Sequence, residues 1–344
     1  MRLALSTSGG DCPGLNAVIR GATGAAARRG FELMGIRSGF AGLEEEDGLV
    51  RLTDRNTRGI ERTGGTILGA ASGAKPFGFG GPQLEDVLGA LRERGIDGLI
   101  MAGGDGTMGW AAKLAETGFP VVGVPKTIDR DVVHTWTTFG HDSALSIAVE
   151  NLDRLHTTIE SHERLMVVEI MGNHSGWLAL FAGIAATEAA IAIPELPFRV
   201  DAFAGHIEER ENAGTHSHLF VVSEGAYPDG GAPFRSGRTG RYGGVAEWLA
   251  AALSDRTGKD SRSLSLGHLV RGGPPTVFDR TLGLEFGAAA VSVIAEGQSG
   301  VMVSFRPPAF TTVPLEEVAG QVARISPDAP ELERARSLGI NLGQ

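Results

Sequence analysis

Short apolar runs recur along the whole chain, each followed by a glycine-bearing loop and then by a longer amphipathic segment. This alternation constrains the fold more tightly than any other feature, because short apolar runs make strands and 3.6-period segments make the helices that cover them. Strands are expected at residues 3–7, 32–36, 98–102, 121–124, 164–171, 190–193, 218–223 and 300–305. Helices are expected at residues 15–29, 82–94, 108–116, 143–156, 175–186, 245–256 and 281–295. Residues 82–94 open with Pro82 and carry Glu85 and Asp86 in the first turns, where acidic side chains favour a helix start. No repeat and no low-complexity linker interrupts the pattern; residues 229–244, rich in Gly, Arg and Ser, are the best candidate for a mobile loop. The pattern predicts an α/β protein with mostly parallel sheets.

The length of 344 residues allows two domains, each with its own core. Glycine stands out at 51 residues, clustered after the apolar runs where a backbone would approach a ligand closely. A formal charge of −10 argues against a nucleic-acid partner and leaves phosphate ligands open, since those need only local positive charge. Cys12 is the only cysteine, which rules out an intrachain disulfide and points to a reducing compartment. The most apolar stretch, residues 177–194, is Ala-rich and broken by Glu188, so it reads as a buried helix and strand rather than a membrane span. With no signal-peptide pattern at residues 3–5, a cytoplasmic location is expected.

In open parallel sheets, ligands gather beyond the carboxyl ends of the strands. Those ends here carry residues 6–14, 102–108, 125–132, 171–176 and 223–227, which hold nearly all of the chemically suggestive side chains. Residues 7–14 (Thr-Ser-Gly-Gly-Asp-Cys-Pro-Gly) join a strand to a helix, where free amides attract anions; a tight turn without a ligand explains them equally well. Gly103, Gly104, Asp105, Gly106 and Thr107 are more pointed, because their amides can face phosphate oxygens while Asp105 reaches a Mg²⁺ ion. The same pattern occurs in diacylglycerol and NAD kinases, so it indicates phosphoryl transfer rather than a substrate. Residues 125–131 place Asp129 and Asp131 two apart, on one side of the chain if it is locally extended. One could accept a proton from an attacking hydroxyl while the other assists the metal; a solvated charged turn is the alternative. His268 and Arg271, set three apart among glycines, suit an oxyanion, although an exposed polar loop would look the same.

Taken together, these loops resemble the phosphofructokinase family over nearly the whole chain. The resemblance rests on residues 7–16, 64–69, 103–107, 125–131 and 168–172, on Glu224-Gly225, and on residues 267–273 with Thr276 to Arg280. It implies two Rossmann-like three-layer α/β/α domains with mostly parallel sheets, facing each other across a cleft in a homotetramer. It assigns residues 1–140 plus 269–310 to a large donor domain, and residues 141–268 plus 311–344 to a smaller sugar-phosphate domain. The implied reaction is the glycolytic transfer of the γ-phosphoryl of Mg²⁺-bound ATP to the 1-hydroxyl of fructose 6-phosphate, with no nucleic-acid or membrane partner. Asp129 would be the base, with Thr127, Lys126 and Asp131 beside it. Gly10, Gly103, Gly104, Asp105, Gly106 and Thr107 would form the donor site, with Asp105 on the metal. Arg164, Arg262, His268 and Arg271 would hold the 6-phosphate, Arg164 and Arg262 coming from a neighbouring subunit, and Met171, Gly172, Asn173 and Glu224 would line the sugar.

Pyrophosphate-using members typically carry a second aspartate where this chain has Gly106, which leaves room for a nucleotide; Lys126 pulls toward pyrophosphate. Three positions depart from the family. Residues 70–72 are Ala-Ala-Ser where an arginine is usual, Asn173 replaces another arginine, and Arg130 stands where asparagine is usual. Lys126 and Arg130 are expected to replace part of the lost charge, unless Arg130 simply pairs with Asp131 in solvent. Another ketose phosphate such as sedoheptulose 7-phosphate, or a sugar-phosphate-binding regulator without catalysis, remain the rivals. Arg20 and Arg154 resemble effector positions, and His134, His141, His156, His162, Trp177 and Trp248 read as packing or surface residues.

Overall fold

The computed structural model describes residues 1–70, 83–187, 189–235, 237 and 240–344. Ala71, Ser72, the Pro82 helix start, Glu188 and residues 236, 238 and 239 of the expected mobile loop lie outside them. The chain forms two compact units. One comprises Met1–Ile128, Val132–Ser143 and Arg271–Val322; the other comprises Asp129–Asp131, Ala144–Val270 and Ala323–Gln344. Among the described residues, no helix is long and apolar enough to cross a membrane.

The first unit is built on a seven-stranded sheet of β1 (Arg2–Thr7), β2 (Glu32–Ile36), β3 (Leu49–Leu52), β4 (Gly98–Gly103), β5 (Val121–Pro125), β10 (Val301–Arg306) and β11 (Ala309–Pro314). Their order is β11-β10-β5-β4-β1-β2-β3, parallel except for the antiparallel edge strands β3 and β11. β4 and β5 are buried along their whole length and β1 nearly so. Both faces of these strands are covered, which is why they read as continuous apolar runs without alternation. The chain leaves β1 through α1 (Leu15–Arg28) toward β2, whereas β4, α3 (Asp105–Glu116) and β5 lie on the other side of β1. That reversal opens a crevice beyond the carboxyl ends of β1 and β4. Helix α2 (Leu84–Glu93) precedes β4, and α8 (Val277–Ala295) packs along α1. The α1–α8 packing is close because three positions lack side chains. A Cβ at Gly21 would fall on the Leu284 carbonyl, one at Gly287 on the Val18 carbonyl, and one at Gly283 would lie 2.8 Å from the Gly14 oxygen.

The second unit carries a four-stranded parallel sheet in the order β7-β8-β6-β9, formed by β6 (Leu165–Ile170), β7 (Ala190–Ala192), β8 (His218–Ser223) and β9 (Ser261–Ser265). Helices α4 (His141–His162), α5 (Trp177–Ala185), α6 (Val200–Asn212), α7 (Val245–Thr257) and α9 (Pro330–Ser337) are the remaining α-helices among the described residues. A core of Phe198, Phe203, Phe220, Val222, Leu249 and Leu253 joins α6 and α7 to the sheet.

Several elements differ from the sequence expectation. Helix α3 starts at Asp105, not at residue 108, so Asp105, Gly106 and Thr107 form its first turn. Helix α8 starts at Val277, where Thr276 caps it by accepting the Asp279 amide proton. β9 was not anticipated: it is a polar edge strand, exposed along most of its length, and carries no apolar periodicity. β11 runs through residue 310, where the expected domain boundary lay, because it pairs with β10 from Val301 to Arg306.

Candidate active site

Parallel pairing aligns the strand ends of the first unit. Thr7 lies beside Ala102 and Gly103 beside Pro125. The pairing continues one step past the strands, with the Ser8 amide donating to the Ala102 carbonyl (3.0 Å) and the Lys126 amide to the Gly103 carbonyl (2.9 Å). Residues 8–14, the start of α3 and Lys126 are thus held side by side. Glycine suits two of these positions. Gly9 sits at φ +78°, in the left-handed region, and a Cβ at Gly10 would come within 2.8 Å of Arg271 Nη1. Lys126, buried, donates from Nζ to the Gly10 carbonyl at 2.5 Å, and Arg271 Nη1 donates to the Asp11 carbonyl at 3.0 Å.

A second loop is tied to the same strand end. Asn16 donates to the Thr63 carbonyl and hydroxyl and to the Gly64 carbonyl, and accepts from the Ile67 amide (2.8 Å). Thr7 donates from its hydroxyl to the Gly69 carbonyl (2.8 Å). The Gly64–Gly69 motif is therefore fastened to β1 and α1. Asp105 and Gly106 are exposed at the start of α3, and a Cβ at Gly106 would meet nothing within 4 Å. A lone exposed carboxylate beside free helix-start amides suits a Mg²⁺ ion that brings phosphate and water oxygens with it. Among the described residues, no group of three or more His, Cys, Asp or Glu could cage a metal unaided.

Cys12 is fully buried on this loop, and burial pushes its thiol up to about 12. Asp279, also fully buried, accepts from the Ser143 amide and hydroxyl, both at 2.7 Å; burial outweighs these bonds and pushes its carboxyl up to about 6.

Lys126, Thr127, Asp129 and Asp131 are all buried polar residues within one short segment. Thr138 donates to the Thr127 carbonyl (2.7 Å), and His141 Nδ1 lies 2.7 Å from the Ile128 carbonyl. The extended conformation assumed for residues 129–131 is corrected: Arg130 adopts φ +55°, which turns the chain so that Asp129 and Asp131 do not share a pleat face. Ser175 donates to the Asp129 carbonyl at 3.1 Å, and the Ala323 amide to the Asp131 carbonyl at 2.7 Å. The Arg130 guanidinium stands 4.9 Å from the Trp177 ring centre and 5.1 Å from that of Phe181, and burial lowers its pKa.

In the second unit, the carboxyl ends of the paired strands β6 and β8 bring together Met171, Gly172, Asn173 and Glu224, and His268, exposed, follows the end of β9. Glu224 Oε1 accepts from the Gly172 and Asn173 amides at 3.3 and 3.0 Å. Asn173 lies at φ +50°, a region asparagine tolerates better than the arginine usual there. Arg164 and Arg262 do not join this group. They lie at the amino ends of β6 and β9, where Arg164 Nε meets Asp260 Oδ2 at 2.6 Å and Arg262 Nη1 meets Asp260 Oδ1. At about 3.3 Å per residue, the length of β6 puts them some 20 Å from Met171. Against its own desolvation, the bonds from Arg164 and Arg262 pull the Asp260 carboxyl below its ordinary value.

Ser175, Thr138, Asp260 and Asp279 were missed by sequence reasoning; only Asp260, two residues before Arg262, left a charge pattern that could have been noticed. Arg20 and Arg154, which resemble effector positions, pair with Asp54 (2.6 Å) and Glu150 (2.7 Å). Trp177 donates from its indole to the Ala323 carbonyl (2.9 Å), and Trp248 packs on Phe198 and Phe234.

The family profile for phosphofructokinase matches residues 2–294. The chain belongs to the phosphofructokinase family. An ATP-dependent 6-phosphofructokinase of Chloroflexus aggregans is 44% identical, covering 99% of this chain and 98% of the relative. A pyrophosphate–fructose 6-phosphate 1-phosphotransferase of Amycolatopsis methanolica is also 44% identical, covering 96% of this chain and 98% of the relative. The solved Pichia pastoris phosphofructokinase, in its T-state, superposes with a TM-score of 0.82 at 31% identity, covering 92% of this chain but 35% of that longer one. The fold is therefore that of the phosphofructokinases.

Proposed function

We propose that this phosphofructokinase-family chain transfers the γ-phosphoryl group of Mg²⁺-bound ATP to the 1-hydroxyl of fructose 6-phosphate. The observation that carries the reading is the alignment, at the ends of β1, β4 and β5, of the glycine loop, the Asp105 helix start and Lys126. The amides of residues 9–11 and of the first turn of α3 would receive phosphate oxygens, and Asp105 would hold the metal. When bound, Mg²⁺ supplies charge neutralisation across the transferring group. Thr127 would align the sugar 1-hydroxyl and Asp129 accept its proton as the oxygen attacks phosphorus and the bond to ADP breaks; Asp131 would assist at the metal. Met171, Gly172, Asn173 and Glu224 would bind the ketose, and His268 and Arg271 its 6-phosphate. Arg164 and Arg262 would reach the 6-phosphate of a neighbouring copy in a homotetramer. Their place at the opposite end of the sheet from Met171 supports that assignment.

The open space beside Gly106 supports ATP as donor, because nothing there would crowd a nucleotide. Pyrophosphate is the second reading, favoured by a buried lysine reaching the donor loop. Turnover of fructose 6-phosphate with MgATP and with pyrophosphate, measured in parallel, tests both. The expected result is faster turnover with MgATP. Turnover with pyrophosphate alone would establish the second reading, and tight sugar-phosphate binding without turnover on either donor would establish a regulatory binder instead.

A further inference from the structure

Two cations grip successive carbonyls of the same loop. Lys126 Nζ donates to the Gly10 oxygen at 2.5 Å, and Arg271 Nη1 donates to the Asp11 oxygen at 3.0 Å. In a trans peptide the N–H points opposite to the C=O. The Asp11 N–H therefore points away from Lys126 Nζ and the Cys12 N–H away from Arg271 Nη1; Cys12 is fully buried, so only the Asp11 amide sits on a partly exposed residue. Lys126 is in turn rooted at two points of the sheet end, through its amide to the Gly103 carbonyl and through its bridge to Phe139. A Cβ at Gly9 would stand 3.3 Å from Lys126 Nζ, and one at Gly10 2.8 Å from Arg271 Nη1, so a side chain at either position would make a cation give way.

We propose that Lys126 is a positioning residue that works together with Arg271 as a clasp on residues 10 and 11, fixing the Asp11 amide toward the donor's phosphate oxygens. If the clasp holds, Lys126 serves either donor through the loop backbone and no longer favours the pyrophosphate reading above. The inference rests on the donor site assigned above. Its structural half is measurable without turnover.

The test uses the full chain carrying Lys126→Met, which keeps the stem and removes the charge, and separately Gly10→Ala, which disturbs the clasp from the Arg271 side. Amide hydrogen exchange is followed at Asp11 and Cys12, and kcat and KM are measured with MgATP and with pyrophosphate. Loss of one hydrogen bond from a charged donor is expected to speed exchange and to lower kcat/KM by about 10- to 100-fold. That loss should appear by the same factor for every donor the wild type uses, with KM for fructose 6-phosphate unchanged in Lys126→Met. A general loss of structure would also raise KM for fructose 6-phosphate, which the proposal leaves unchanged. Loss confined to pyrophosphate, with exchange at residues 11 and 12 unchanged, would overturn the proposal. If Lys126→Met fails to fold, Gly10→Ala decides on the same two readouts. If the wild type turns over neither donor, the assigned reaction fails, while the exchange rates still support or overturn the clasp.

Discussion

Asp129 combines burial with a backbone held from outside its own segment, since Ser175 donates to its carbonyl. A general base needs such fixation, because its rate contribution depends on where the carboxylate stands when the hydroxyl attacks. Asp129→Asn keeps the size and the Ser175 bond but removes the basic oxygen. We expect kcat to fall by roughly 10²- to 10⁴-fold, with far less change in KM for the sugar phosphate, in steady-state assays. Asp279 tests a different property. Its folded-state carboxyl lies at about 6, above the ordinary aspartate value of 3.8, so the folded chain holds a proton that the unfolded chain has shed between those values. Its contribution is fully present below about 4 and is lost as pH rises to about 6, by roughly 3 kcal/mol in all. Denaturant unfolding across this window should show a slope in the wild type that Asp279→Asn flattens; equal slopes would refute the assignment. Asn173 and Arg130, both at positive φ, show why single residues resist sequence reading. The first looks like a lost cation but suits its backbone, and the second lies over Trp177 and Phe181.

At the scale of elements, helix pairing in the first unit depends on absent side chains. Gly21, Gly283 and Gly287 let α1 and α8 approach until backbone meets backbone. The obstacle at Gly287 is the Val18 carbonyl, which cannot swing aside as a side-chain tip could. Gly287→Ala should therefore cost about 1–3 kcal/mol, read as a lower urea midpoint with unchanged slope. The buried parallel strands and the loops that follow them were legible, because a strand covered on both faces leaves an uninterrupted apolar run and the ligand loop comes next in sequence. β9 and α6 were not. β9 is an exposed polar edge, and α6 buries only Phe203, Ala204 and Ile207 among charged neighbours. The motif residues of the candidate site could be named from sequence, whereas Ser175, Thr138 and Asp260 act through carbonyls or through other side chains. Such contacts depend on the folded path and leave no spacing rule.

At the scale of the whole molecule, the placing of Arg164 and Arg262 at one end of the second sheet and of Met171, Glu224 and His268 at the other requires a second copy if all serve one sugar phosphate. Mixing Asp129→Asn chains with chains carrying both Arg164→Ser and Arg262→Ser tests this. Each homogeneous preparation should be nearly inactive, and unfolding together followed by refolding should return roughly a quarter of wild-type activity, the fraction of sites that draw intact parts from both parents. No recovery would place every site within one chain. The single cysteine offers a last consequence. Cys12 occupies the glycine loop, fully covered, with a thiol that holds its proton at any physiological pH. Alkylating reagents react with the thiolate, so the intact enzyme should be almost inert to them. Whatever labelling does occur then acts as a clock for the moments when the loop lifts, and a bound donor should slow that clock without any engineered reporter.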